Sequence, residues 1–329
     1  MNHLILAPVI LPALLAPLIV LAMRHDILLQ RVFSTVGTVA LLVISAALLW
    51  QSATQGPQVY LMGNWQAPFG IVLVLDRLSA LLVGLTSVLA LGVLIYVIAT
   101  GWDLRGRHFH ALFQFQLMGV NGAFLTGDAF NLFVFFEILL IASYGLMIHA
   151  GGPQRLKAGV QYVAYNLAGS TLFLFALGTL YAVTGTLNLA DLAVKVPALP
   201  EGEDALLRVA GVLLLIVFAV KGALLPLHFW LPATYALAPG PVAALFAIMT
   251  KVGAYSIIRF YTLVFGPGLE ATGGFFADLL MPAAVATLIV GMVGVLGATG
   301  LARMVAFAAV GSMGTLFLSV APFTTPGIA

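Results

Sequence analysis

Apolar residues run along this chain in long blocks, separated by short polar connections. A membrane-crossing helix needs roughly 20 mostly apolar residues. Ten blocks meet that length, at about 3–23, 32–51, 76–100, 109–127, 129–149, 158–183, 206–224, 240–263, 277–299 and 302–322. The stretch 226–238 reads as a short half-helix that completes the seventh span. The opening run "LILAPVILPALLAPLIVLAM" has no basic start and no small-residue cleavage site, so it predicts a retained span and not a signal peptide. The pattern predicts an all-α polytopic membrane protein of about 10 transmembrane helices.

Composition agrees. The 329 residues are 62% hydrophobic and 7% charged, against about 25% charged in soluble domains. Net charge is only +2 and Lys/Arg form no cluster, which excludes a nucleic-acid face. Cysteine is absent, which excludes disulfides, thiolate metal sites and cysteine nucleophiles. The six histidines have no metal-ligand spacing, and no cofactor or metal is expected.

Where the charges sit gives an orientation. Loops after spans 1, 3, 5 and 9 hold Arg24, Arg31, Arg105, Arg107, Arg155, Lys157 and Arg303, while the other side holds Arg77, Lys195, Arg208 and Arg259. Asp76, Asp128, Asp191, Glu201, Glu203, Asp204, Glu270 and Asp278 fall on that second side, with only Asp26 and Asp103 on the first. The positive side is expected in the cytoplasm, with the N-terminus outside. The connection "TGTLNLADLAVKVPALPEGEDA" at 184–205 reads as a solvated loop.

Three ionisable residues remain inside spans: Glu137, Lys221 and Lys251. Burying a charge at membrane depth is expensive, so such residues mark ion or proton pathways by default. A structural pair that pins helices together accounts for one glutamate and one lysine; three mid-span charges favour transport. A carboxylate and a lysine brought together can share a proton, or hold an ion pair that opens when another charge arrives. Tyr255 lies one turn beyond Lys251, and with Thr250 and Ser256 gives that helix polar surface suited to a water chain or to helix packing. His228 follows Pro226 and is placed either to relay protons or to cap loosened carbonyls. Asp128 and Asn131, in "TGDAFNLF", read as a helix-capping turn, with an ion entrance as the lesser reading. His149 reads as interfacial, and Tyr162, Tyr165, Asn166 and Ser170 as a polar stripe facing other helices.

The segment "VKGALLPLHFWLP" predicts a broken helix at Lys221. Gly222 and Pro226 bracket the turn, while Pro232, Pro239 and Pro241 bound the next segment. Unwound backbone at membrane depth is tolerated where it is buried in protein or lines an aqueous cavity, and transporters place their ions at such breaks. The break therefore predicts a hydrated pocket beside Lys221, with Gly222 and Pro226 loosening the helix.

The stretches "TGDAFNLFVFFEILLIASYGLMI", "VKGALLPLHFWLPATYALAPGPVAALFAIMTKVGAYSIIRF" and "LARMVAFAAVGSMG" resemble the proton-translocating membrane subunits shared by respiratory complex I and Mrp-type cation/proton antiporters. The likeness extends from "GNWQAPFGIVLVLDRLSALL" onward. It implies a fold of about fourteen helices with two inverted five-helix repeats, each with a broken helix and a lysine-centred half-channel. By position, Glu137 matches the family's fifth-span glutamate, Lys221 the broken-helix lysine and Lys251 the eighth-span lysine. In the family the glutamate controls the first lysine's proton affinity, and the second lysine passes protons on. Residues 1–100 would then be an N-terminal three-helix segment, 101–263 the first repeat (spans 4–8) and 264–329 the start of the second inverted repeat (spans 9–10).

Three departures matter. Many complex I members read WLPDAH where Pro232 is here followed by Ala233, Thr234 and Tyr235, a pattern closer to the D-type subunit of Mrp antiporters. Gly311 and Ser312 stand where relatives often carry serine and histidine, which puts a relay step there in doubt. The chain ends after ten spans, so the expectation is a C-terminally truncated form or one half of a split protein.

The resemblance implies a non-enzymatic subunit of a multi-subunit sodium/proton antiporter in the bacterial inner membrane, with other antiporter subunits, lipid, protons and a monovalent cation as partners. Alternatives are a cofactor-free pumping subunit of complex I or a related hydrogenase, and a non-transporting scaffold.

Overall fold

In hydrocarbon a backbone has to satisfy its own N–H and C=O groups, so apolar blocks of this length fold as helices. The computed structural model describes residues 2–199, 204–266, 269 and 275–322. Glu201, Glu203, Glu270 and the tail 323–329 lie outside the described residues. The described residues form twelve α-helices: α1 (Ala7–Ala22), α2 (Ile27–Gln55), α3 (Arg77–Thr100), α4 (Phe109–Leu125), α5 (Ala129–Met147), α6 (Pro153–Thr184), α7 (Leu189–Lys195), α8 (Asp204–Gly222), α9 (Trp230–Leu237), α10 (Gly240–Leu263), α11 (Phe275–Leu296) and α12 (Leu301–Val320). Among the described residues nine helices are long and apolar enough to cross a membrane. The tenth predicted span is α4, whose 17 residues reach about 26 Å at 1.5 Å per residue. The chain divides into two compact units, residues 1–156 with 239–248, and residues 157–238 with 249–329.

In the first unit, side chains set the helix ends. Asp26 Oδ1 accepts the Leu28 and Leu29 amides at 2.9 and 3.1 Å and starts α2. Asp76 and Ser79 form a reciprocal capping box that starts α3, which ends at Gly101 with φ +66°. Pro12 lacks the N–H that would have bonded the Pro8 carbonyl inside α1. The Asn121 amide of α4 donates to that carbonyl instead, at 3.1 Å. Side-chain-free positions let α4 and α5 approach: a Cβ on Gly119 would meet the Leu139 backbone, and one on Gly122 the Phe135 ring. The all-helical expectation omitted one feature. Strands β1 (Gln58–Leu61) and β2 (Val72–Leu75) pair antiparallel, with Gln58 opposite Leu75 and Leu61 opposite Val72.

In the second unit α11 and α12 form a close pair. A Cβ on Gly291 would run into the Gly311 backbone, one on Gly314 into the Leu288 backbone, and one on Gly294 into the Phe307 ring. Without a hydrophobic drive between helices in lipid, such close contact through small residues supplies the association. Asn188 caps α7 through the Ala190 and Asp191 amides, at 3.0 and 3.2 Å.

The glycine contacts make a direct prediction. Gly314→Val forces a branched side chain against the Leu288 backbone and is expected to destabilise the fold by about 1–3 kcal/mol. Thermal unfolding in detergent should show a clear drop, whereas Gly178→Ala, inside α6 with open space around it, should hold or raise the transition.

Candidate functional site

The site is built on the end of α8. Its last residues obey a capping pattern: the Ala223 amide bonds the Val220 carbonyl at 3.2 Å, and the Leu224 amide bonds the Ala219 carbonyl at 2.9 Å. This is the paired Schellman arrangement, in which the residue after the cap takes a left-handed conformation. Ala223 holds that place, with φ +53°. Left-handed backbone costs a non-glycine residue roughly 1–2 kcal/mol, so the surrounding contacts have to enforce the break.

Those contacts are visible. The Trp230 indole donates to the Val220 carbonyl at 2.9 Å, and the Leu225 amide donates to Thr287 Oγ1 of α11 at 2.8 Å. Trp230 itself stacks on Tyr162, with ring centroids 5.5 Å apart. A side chain thus satisfies the Leu225 amide that the interrupted helix leaves over, and the capped Val220 carbonyl takes a second donor.

Gly222 does not loosen the helix, contrary to the sequence reading. It remains helical, and its missing side chain admits other groups: a Cβ there would lie 2.9 Å from the Phe317 ring. A Cβ on Gly253 of α10 would collide with the Gly222 amide and the Lys221 carbonyl carbon. The end of α8 and the middle of α10 therefore touch backbone to backbone.

Lys221 occupies the last turn of α8 and is 5% exposed. Helix C-termini carry partial negative charge, which favours an ammonium there. Its Nζ donates to Asn166 Oδ1 at 3.1 Å and lies 3.5 Å from the Asn166 carbonyl. The Asn166 Nδ2 donates to the Tyr162 carbonyl at 2.9 Å, which turns the amide oxygen toward the lysine. Tyr162, Asn166 and Ser170, one turn apart on α6, are buried as the stripe predicted, whereas Tyr165 is 41% exposed.

Lys251 lies on α10, half-buried, two residues before Gly253. Its Nζ donates to Ser312 Oγ of α12 at 3.4 Å, and that hydroxyl donates to the Ala309 carbonyl at 2.8 Å. Ser312, noted in the sequence only as a departure, is thus a contact of Lys251. Tyr255 is buried, and its hydroxyl accepts from Arg259 Nε at 2.8 Å, with the guanidinium 4.9 Å from its ring. His228 lies in the break between α8 and α9, with a buried Nδ1 that has no hydrogen-bond partner among the described residues.

The first unit holds the other predicted residues. Glu137 lies on α5, half-buried, within electrostatic reach of Tyr144 two turns along. Asp128 caps α5: its Oδ1 accepts the Asn131 amide at 2.7 Å, while Asn131 Nδ2 donates to Thr126 Oγ1 at 3.0 Å. The capping reading of Asp128 therefore holds. His149, expected at the interface, is buried under Phe109, its ring 5.5 Å away, and burial pushes its imidazole below the ordinary histidine range.

One charged cluster was not visible in the sequence. Arg31 binds Asp103 through two bonds of 2.6 and 2.8 Å, and His110 Nε2 lies 3.1 Å from the same carboxylate. Burial of Asp103 favours its protonated form, but the bonds from Arg31 and His110 outweigh it and hold the carboxyl below its ordinary 3.8.

Comparison with known proteins gives three kinds of match. A family profile described as "NADH:quinone oxidoreductase/Mrp antiporter, TM" matches residues 126–329. A probable K(+)/H(+) antiporter subunit of the D type, from Rhizobium meliloti, is 45% identical over 97% of this chain and 60% of its own length. An Na(+)/H(+) antiporter subunit of the same type, from Bacillus subtilis, is 41% identical over 100% of this chain and 66% of its own. The chain thus spans less than two thirds of these relatives. Among solved structures, the Mrp complex from Dietzia sp. DQ12-45-1b contains a chain with a TM-score of 0.90 and 30% identity, over 99% of this chain and 60% of that one. An archaeal membrane-bound sulfane sulfur reductase gives a TM-score of 0.88 and 26% identity, over 97% of this chain and 65% of that one.

Two measurements check this geometry. Asn166→Leu removes the oriented acceptor and is expected to destabilise the fold by about 1–3 kcal/mol, but to cost far less in a Lys221→Met background. An equal cost in both backgrounds would show that the amide does not serve the lysine. Asp103→Asn is expected to cost about 3 kcal/mol at neutral pH. Because the Asp103 carboxyl is depressed, its contribution is present above 3.8 and is lost as pH falls through its lower folded value. The stability gap between parent and Asp103→Asn should therefore close in strong acid.

Proposed function

Because this chain belongs to the NADH:quinone oxidoreductase/Mrp antiporter transmembrane family, we propose that it works as a subunit of a multi-subunit monovalent cation/proton antiporter. Protons pass through Glu137, Lys221 and Lys251, and no redox cofactor is needed for that chemistry. The observation that carries the reading is Lys221, 5% exposed at the end of an interrupted helix and held by a carboxamide oxygen.

Each of the two lysines faces a side-chain oxygen acceptor. The Asn166 oxygen only accepts, so it serves Lys221 as long as the nitrogen presents N–H groups toward it. The Ser312 hydroxyl donates its one hydrogen to the Ala309 carbonyl and offers Lys251 a lone pair, as the Asn166 oxygen offers Lys221. A neutral amine keeps two N–H groups, so each acceptor holds its lysine before and after a proton leaves. The part taken by Glu137 rests on the likeness of its helix to the family's glutamate-bearing helix.

In this reading residues 101–263 form the first repeat, 264–329 begin the second, and 1–100 form an N-terminal segment. The partners are other antiporter subunits in a bacterial inner membrane, with the N-terminus outside. A second reading, a pumping subunit of a respiratory complex, is supported by the likeness to the archaeal sulfane sulfur reductase.

Lys221→Ala and Glu137→Ala are each expected to reduce cation/proton antiport in everted vesicles to background while the complex still assembles. Lys251→Ala should do the same. Near-normal antiport in the Lys221 variant would overturn the role, and co-purification with quinone-binding subunits would favour the second reading.

A further inference from the structure

At the end of the first unit where α1 gives way to α2, a cavity of about 390 Å³ is lined by Arg24, His25, Asp103, Arg105 and Arg107. Its size falls in the roughly 300–1,000 Å³ range of ligand sites. The three guanidinium groups are exposed and concentrate positive potential around one cavity, which draws an anion.

The acids close by are already engaged. The Asp103 carboxylate takes Arg31 and His110, and the Asp26 carboxylate caps the α2 amides. His25 accepts the Arg24 Nε–H at Nε2, at 2.8 Å, so it brings a hydrogen-bonded ring and no compensating negative charge. Arg105 is held with its guanidinium 4.3 Å from the Trp102 ring, which presents an ordered fork and not a free arm.

The surface beside the cavity is apolar. Leu104, 65% exposed, lines the cavity from the turn after α3, and Leu21 and Leu28, 80% and 66% exposed, stand three residues before Arg24 and one after Ile27, which also line it. A soluble phosphate makes no use of such leucines, but a phospholipid does: its phosphodiester binds the arginines and its chains cover the leucines. We infer that this cavity binds the phosphate headgroup of an anionic membrane lipid. Basic pockets at helix ends are suited to such headgroups, and each arginine contributes about fivefold in affinity.

The test uses the purified chain in neutral detergent, mixed with phosphatidylglycerol or phosphatidylcholine, with bound lipid counted by native mass spectrometry. Saturable retention of phosphatidylglycerol over phosphatidylcholine is expected. The combined Arg24→Gln, Arg105→Gln and Arg107→Gln variant should lose it, and Arg77→Gln, at the other end of α3, should keep it. Should the triple variant fail to fold, Arg107→Gln alone is read, with an expected loss of about fivefold. Equal retention of both lipids, or unchanged retention in the arginine variants, would overturn the site. Displacement by equimolar inorganic phosphate would assign it to a soluble anion and overturn the lipid.

Discussion

A buried ammonium at the end of an interrupted helix is the constraint on which the second unit is built. The chain is 62% hydrophobic, and an ion at membrane depth needs charge complement, hydrogen bonds or both. Lys221 has the C-terminal end of α8 and the oriented Asn166 oxygen. The arrangement requires α8 to stop there, because only a terminal turn offers the negative end of a helix. The break in turn leaves the Leu225 amide, which the Thr287 hydroxyl takes up, while the Trp230 indole adds a second donor to the capped Val220 carbonyl. Helix end, ion and two side-chain caps form one interdependent unit.

Glycine packing ties that unit to Lys251. Gly222 and Gly253 bring α8 and α10 together at backbone distance, and Gly291, Gly311 and Gly314 do the same for α11 and α12. Lys251 stands two residues before Gly253 on α10 and reaches Ser312 on α12. Both lysines are thus placed by helices whose separations are set by absent side chains.

Features with a local signature were legible in the sequence. The spans follow from hydropathy alone, Lys221 from a charge inside an apolar block, and the Asp128 cap from its position before a helix. Partners distant in sequence were not: Asn166 is 55 residues from Lys221, Ser312 is 61 from Lys251, and Asp103 is 72 from Arg31. The four-residue strands at 58–61 and 72–75 carry too little pattern to separate from neighbouring apolar runs. Gly222 shows how a local rule misleads. Glycine is the usual left-handed residue at a helix end, but here close packing takes the glycine and Ala223 adopts the left-handed backbone.

The central claim is that Lys221 exchanges a proton and is not merely a charge that holds helices together. Lys221→Arg separates the two, because arginine keeps the positive charge and donors but does not deprotonate in proteins. The measurement is cation/proton antiport in everted vesicles carrying the assembled complex with this single change. The expected result is normal assembly with antiport at background. Antiport close to the parent level would show that a fixed charge is sufficient there, and would contradict the account.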